Sequence, residues 1–127
     1  MKTLILLLLP FSLFAQLDKY GEHFKTNNPA SYEVIKTHAV EKWGNDFEMV
    51  VFQINKQSKA CYDFFQLMKE PNMDADLALN AILKWCYDGY STINGDLIEQ
   101  QRLLELHVDW VMVLYDYEKQ LKAKNSF

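Results

Sequence analysis

The 127-residue chain has two cysteines, four glycines and three prolines, and each scarcity excludes something. Two cysteines are too few for a disulfide-built miniature scaffold, and no C-x-x-C pair is present for thiol–disulfide exchange. So little Gly and Pro argues against a turn-rich all-β sandwich and favours long uninterrupted helices. Lysine and arginine nowhere form a run, and the net formal charge is −4. A chain of that kind is a poor ligand for nucleic-acid backbones, whose affinity rests on clustered cations. There is no glycine loop to cradle phosphate and no G-x-S-x-G nucleophile elbow. No N-x-S/T glycosylation site occurs.

One long hydrophobic run exists, at the start. Met1-Lys2 is a short basic opening, and residues 3–14 read TLILLLLPFSLF without a charge. Ala15-Gln16 supplies a small residue at a plausible cleavage point. This is the layout of a secretory signal peptide. It is too short for a membrane anchor, which needs about 20 apolar residues. The expected organisation is a signal at 1–15, a flexible arm at 16–28 (loose, or one helical turn) and a single helical domain at 29–127. Removing the signal leaves 112 residues, a formal charge of −5 and about 46% hydrophobic residues. That is an ordinary globular composition. No second segment is apolar enough to span a membrane.

The few helix breakers then count the helices. Asn28-Pro29 is a start signal, because Asn caps and Pro suits a first turn whose N–H has no partner. Gly44 is placed to end that helix. Asn45 with Glu48 has capping-box spacing for a second helix that runs to Pro71. Along it Phe47, Ile54, Cys61 and Met68 recur every seven residues, and Gln57-Ser58 is the polar step in the stripe. Asn72 or Asp74 can cap a third helix, apolar almost all round and therefore expected at the centre. Asp96 is placed to cap the fourth, with Leu97, Leu104, Val108, Val111, Leu114 and Leu121 as one stripe and Leu103, Leu106, Trp110, Val113 and Tyr117 as a second. The expected fold is all-α: an antiparallel four-helix bundle of unequal helices at about 29–43, 46–70, 74–88 and 96–122.

Cys61 and Cys86 are candidates for a disulfide, since helices folded back near residue 72 bring them within about two residues of facing each other. Two buried thiols are the alternative. Both lie in a short echo, Lys59-Ala60-Cys61-Tyr62-Asp63 and Lys84-Trp85-Cys86-Tyr87-Asp88, read as chance likeness between helices rather than a repeat.

Chemical constellations are weak. His107 follows Glu105 at the wrong spacing for the Glu-x-x-His of di-metal bundles, and His38 has no histidine one turn on. His107 reads as a core-edge histidine and His38 as a residue at a helix contact. The 74–85 segment begins like a calcium loop but lacks its glycine and its closing glutamate. Glu33, Glu48, Asp63, Glu105, Asp109 and Asp116 form a pool of acids from which a two-carboxylate hydrolase would draw. Trp43, Trp110 and Tyr117 are the candidate interface or pocket aromatics, with Trp85 and Trp110 expected in the core.

These readings point to an exported, non-enzymatic binding or interaction protein, secreted or periplasmic. It implies no cofactor or bound metal. The expected partner is another protein or an envelope component, or a second copy of the chain. The alternatives are a small-ligand or metal carrier, with a pocket lined by His107 and aromatics, and a carboxylate-dependent hydrolase.

Overall fold

A computed structural model describes residues 16–87 and 107–127. The described residues are all-helical, with five α-helices and no strand: α1 (Lys19–Asn27), α2 (Pro29–Trp43), α3 (Phe47–Leu67), α4 (Ala75–Lys84) and α5 (Trp110–Lys124). The signal at 1–15 and the start of the fourth expected helix, 96–106, lie outside them.

Helix α3 holds the centre. It packs against α1, α2 and α5, while α4 packs on α5. The central place expected for the most apolar helix therefore falls instead to α3. The seam between α3 and α5 is aromatic. Phe64 meets Trp110 with ring centroids 5.8 Å apart and Tyr117 edge-on at 5.9 Å. All three rings are no more than 1% exposed. Phe47, the first residue of the expected heptad stripe, is 67% exposed, so that stripe begins at Val50 and Ile54.

The segment expected as a flexible arm is helix α1. Asp18 caps it, its Oδ1 accepting from the N–H groups of Tyr20 and Gly21 at 2.9 Å. The Asp18 N–H in turn donates to Asn55 Oδ1 on α3 at 2.9 Å. Gly21 and Phe24 are buried, and that contact holds a helix whose composition is mostly polar. Gly21 lies inside this short polar segment. In the structure it is the small residue that lets α1 approach α3: a Cβ there would lie 2.7 Å from Asn55 Oδ1.

Helix α2 has the expected bounds. Pro29 opens it, and Gly44, with φ of 57°, ends it. Asn28 makes no side-chain cap. The cap of α3 is Asp46, which accepts from Met49 N, rather than Asn45. Asp74 caps α4 through Leu77 N and ties it to α5 twice. Its N–H donates to the Tyr117 hydroxyl at 3.1 Å, and its carboxylate pairs with the Lys124 ammonium. That ammonium, with the Leu77 N–H, holds the Asp74 carboxyl below the usual carboxylate range.

Two boundaries depart further. Helix α4 ends at Lys84, not near 88, and α5 begins at Trp110, capped by Asp109, so the expected helix is broken at 107–109, while the expected cap Asp96 lies outside the described residues. The cause is a backbone clasp. Cys86 and Val108 form an antiparallel bridge, Tyr87 N donates to His107 O at 2.8 Å, and Asp109 N donates to Trp85 O at 3.0 Å. Extended backbone on both sides interrupts what apolar spacing alone reads as continuous helix. The clasp also breaks the Cys61/Cys86 echo, whose first copy is helical and whose second leaves the helix after Lys84.

Alanine at a helical glycine ordinarily stabilises by up to about 1 kcal/mol. Gly21→Ala should do the opposite, because its Cβ displaces Asn55 and releases the Asp18 N–H. A loss of roughly 1 kcal/mol in urea unfolding is expected, and a gain would show that α1 is not seated on Asn55.

Candidate functional site

Helix α2 turns one stripe toward a cleft. Ser31, Ile35, His38 and Lys42 recur at i, i+4, i+7 and i+11, with Val34 and Glu41 beside them, and all six line it. Helix α3 contributes Gln53 and Gln57, one turn apart. The third wall is the clasp and the start of α5: Tyr87, His107, Val108, Asp109 and Trp110. The enclosed volume is about 350 Å³, at the lower end of the size of small-molecule sites.

Gln57 fixes this geometry. Its Oε1 accepts from the Trp110 N–H at 2.8 Å, and its Nε2 donates to Asp109 Oδ1 at 2.9 Å. The same Oδ1 accepts from Met112 N, capping α5. One amide therefore satisfies a first-turn N–H that has no partner within the helix and orients the capping carboxylate. Gln53 accepts from the indole N–H of Trp43 at 2.7 Å. Trp43 thus supports the wall from behind, half-buried.

The histidines meet in this cleft. His38 and His107 lie face to face with their ring planes 11° apart, and the Tyr87 ring leans on His107 at 4.6 Å. His38 Nδ1 lies 3.2 Å from Glu41 Oε2. A carboxylate beside an imidazole is the arrangement that orients a general base. Among the described residues that line the cleft, the serine is out of its reach. Ser31 stands seven residues from His38, about 10 Å along the helix, where proton transfer needs about 3 Å.

Ser31 is instead notable for being unsatisfied. It is 2% exposed, and among the described residues its hydroxyl, like that of Ser58 and the indole N–H of Trp85, has no hydrogen-bond partner. A buried hydroxyl without a partner costs on the order of 1–3 kcal/mol.

No protein-family model, curated protein or solved structure matches the chain.

The structure distributes the residues marked in the sequence unevenly. His38, His107, Asp109 and Trp110 are brought together. Trp110 is nonetheless a core residue, presenting little more than an edge to the cleft. Tyr117 is also buried, with its hydroxyl on Asp74. Cys61 and Cys86 are not joined: Cys61 is buried in α3, while Cys86 sits in the clasp, off the helix that was to face it. Burial pushes the Cys61 thiol well up, which keeps it protonated and unreactive. Among the described residues of the acid pool, Asp109 is the one that reaches the cleft. Asp63 pairs with Lys59 at 2.6 Å, and Glu105 lies outside the described residues. Among the described residues no three of His, Cys, Asp or Glu gather as a metal site would require. The residues that apolar periodicity passed over are Ser31, Glu41 and Gln53, whereas Tyr87 had been among the aromatics read as able to line a pocket or interface. Gln57 stood out only as a polar step in an apolar stripe.

Replacing Gln57 tests its place. Gln57→Leu keeps the bulk but strands the Trp110 N–H, and should cost about 1–3 kcal/mol in chemical denaturation. A change below a few tenths of a kcal/mol would mean that α5 is positioned by its apolar face alone.

Proposed function

We propose that the protein is exported and binds a small ligand, without transforming it, in the cleft between α2, α3 and the start of α5. Residues 1–15 act as the signal for export, which rests on their basic start and uncharged apolar run. The mature protein is then secreted or periplasmic. No helix among the described residues is long and apolar enough to cross a membrane.

The observation that carries the binding reading is the Ser31 hydroxyl. Ser31 is a lining residue of the cleft and nine-tenths buried, and among the described residues its hydroxyl is unpartnered. Such a group is costly unless something completes it. The cleft also offers what ligand sites offer: apolar walls (Val34, Ile35, Val108) with a few convergent polar groups (Ser31, His38, Gln53, Asp109). The distance between Ser31 and His38 speaks against nucleophilic catalysis.

A macromolecular partner is the second reading, and one observation favours it. Phe47, Phe52 and Tyr115 are all more than half exposed. Aromatic side chains of that kind concentrate at interface hot spots. That partner would be a protein or envelope component, or a second copy.

Recovery of the exported chain, with an intact mass beginning at Gln16, gives the material for a direct test. A small-molecule fragment screen followed by amide NMR should give hits that cluster on Ser31, His38, His107 and Asp109. Val34→Trp, which fills the cleft from its rim, should abolish them. Hits scattered over the surface and indifferent to Val34→Trp would reject the cleft as the binding site.

A further inference from the structure

Resting on the reading of residues 1–15 as an export signal cut after Ala15, we infer that Gln16 is a modification site. Its newly released α-amine closes on its own side chain, and the mature chain begins with pyroglutamate. The residue type is the first observation: the cut at Ala15-Gln16 gives the free amine to a glutamine. In a terminal glutamine the amine and the side-chain carbonyl carbon belong to one residue and close a five-membered ring. Proximity therefore supplies what a reaction between two molecules would have to find. The step needs no co-reactant. The amine nitrogen, as its free base, attacks Cδ, and the N–Cδ bond forms. The Cδ–Nε2 bond breaks, and Nε2 leaves as ammonia with a proton from the amine. The product is a neutral lactam, without the terminal positive charge.

The fold leaves both reacting groups clear. Gln16 is exposed, and its one hydrogen bond among the described residues is through its carbonyl, which accepts from Asn55 Nδ2 at 3.4 Å. Ring closure uses N and Cδ and leaves that carbonyl in place. The Asp18 N–H donates to Asn55 Oδ1 at 2.9 Å, so one amide of α3 holds the backbone on both sides of Leu17. Leu17 packs, partly buried, against the core, and Asp18 caps α1. Folded structure thus begins one residue past the cut. An exopeptidase that removed a few residues would take the Leu17 contact and the α1 cap with them. A lactam offers no free amine to such an enzyme and closes that route.

The test expresses the full chain, with residues 1–15, in a host that exports it. The intact mass of the recovered product is read at once and again after prolonged incubation in warm neutral phosphate. It should be that of residues 16–127 less about 17 Da, the mass of the ammonia lost, and fragment spectra should place the loss on Gln16. The full mass of residues 16–127, kept through the incubation, would overturn the inference and leave the export reading standing. A product that keeps residues 1–15, or starts at another residue, would overturn the export cut and the inference with it. Gln16→Ser, which cannot close the ring, should keep its full mass. A broad aminopeptidase should release residue 16 from that variant roughly tenfold faster, or more, than from the unaltered chain, whose terminus carries no free amine. Equal rates would overturn the cap.

Discussion

The Gln57 amide joins the middle of α3 to the first turn of α5, and the arrangement on both sides follows from it. A helix N-terminus leaves its first N–H groups without intrahelical partners. Asp109 takes one of them, from Met112, and Gln57 takes the one from Trp110. Only a side chain with a donor and an acceptor on one planar group can bind that N–H and the adjacent carboxylate together. Glutamate would repel Asp109, and lysine has nothing to accept with. With Trp110 N fixed, its ring falls between Phe64 and Phe65 in the core. With Asp109 fixed, its second oxygen remains for the cleft.

The core and the cleft are thus two sides of one junction. The clasp of Trp85–Tyr87 with His107–Asp109 brings His107 against His38, and Tyr87 against His107. Helix α2 lends the opposite wall through a single stripe that begins at the buried, unpartnered Ser31. Stability and the proposed binding therefore draw on the same residues. A change at Gln57 is expected to disturb Trp110 in the core and Asp109 in the cleft together, and the two effects will not be additive.

The helices were legible in the sequence where backbone chemistry is local. Pro29 and Gly44 bound α2, and Pro71 follows the end of α3, because those residues restrict φ or lack an N–H wherever they occur. The all-helical class followed from the same scarcity. The rest depended on partners remote in sequence. Helix α1 was hidden because its stability comes from Asn55 and a buried glycine, not from its own apolar pattern. The break before α5 was missed because the clasp is a pairing between segments about 22 residues apart in the chain. The cysteine pairing rested on residue 86 being helical, and that same clasp removes it from the helix. At the site, His107 had been marked as lining a pocket and Trp110 as a pocket or interface aromatic, while Asp109 had been marked only as one of a pool of acids. Ser31 gave no signal, since a lone serine on a helix is usually exposed. Gln57 gave one that is readable in hindsight: a large polar side chain in an apolar stripe must find a buried partner.

Hydrogen exchange at the Trp110 amide tests the central junction most directly. As the first residue of α5, this amide has no partner within its own helix and would ordinarily exchange as fast as a frayed end. Its bond to Gln57 should protect it to nearly the level of the core amides of α3, and Gln57→Leu should remove that protection. Rapid exchange at Trp110 in the unaltered protein would contradict the account.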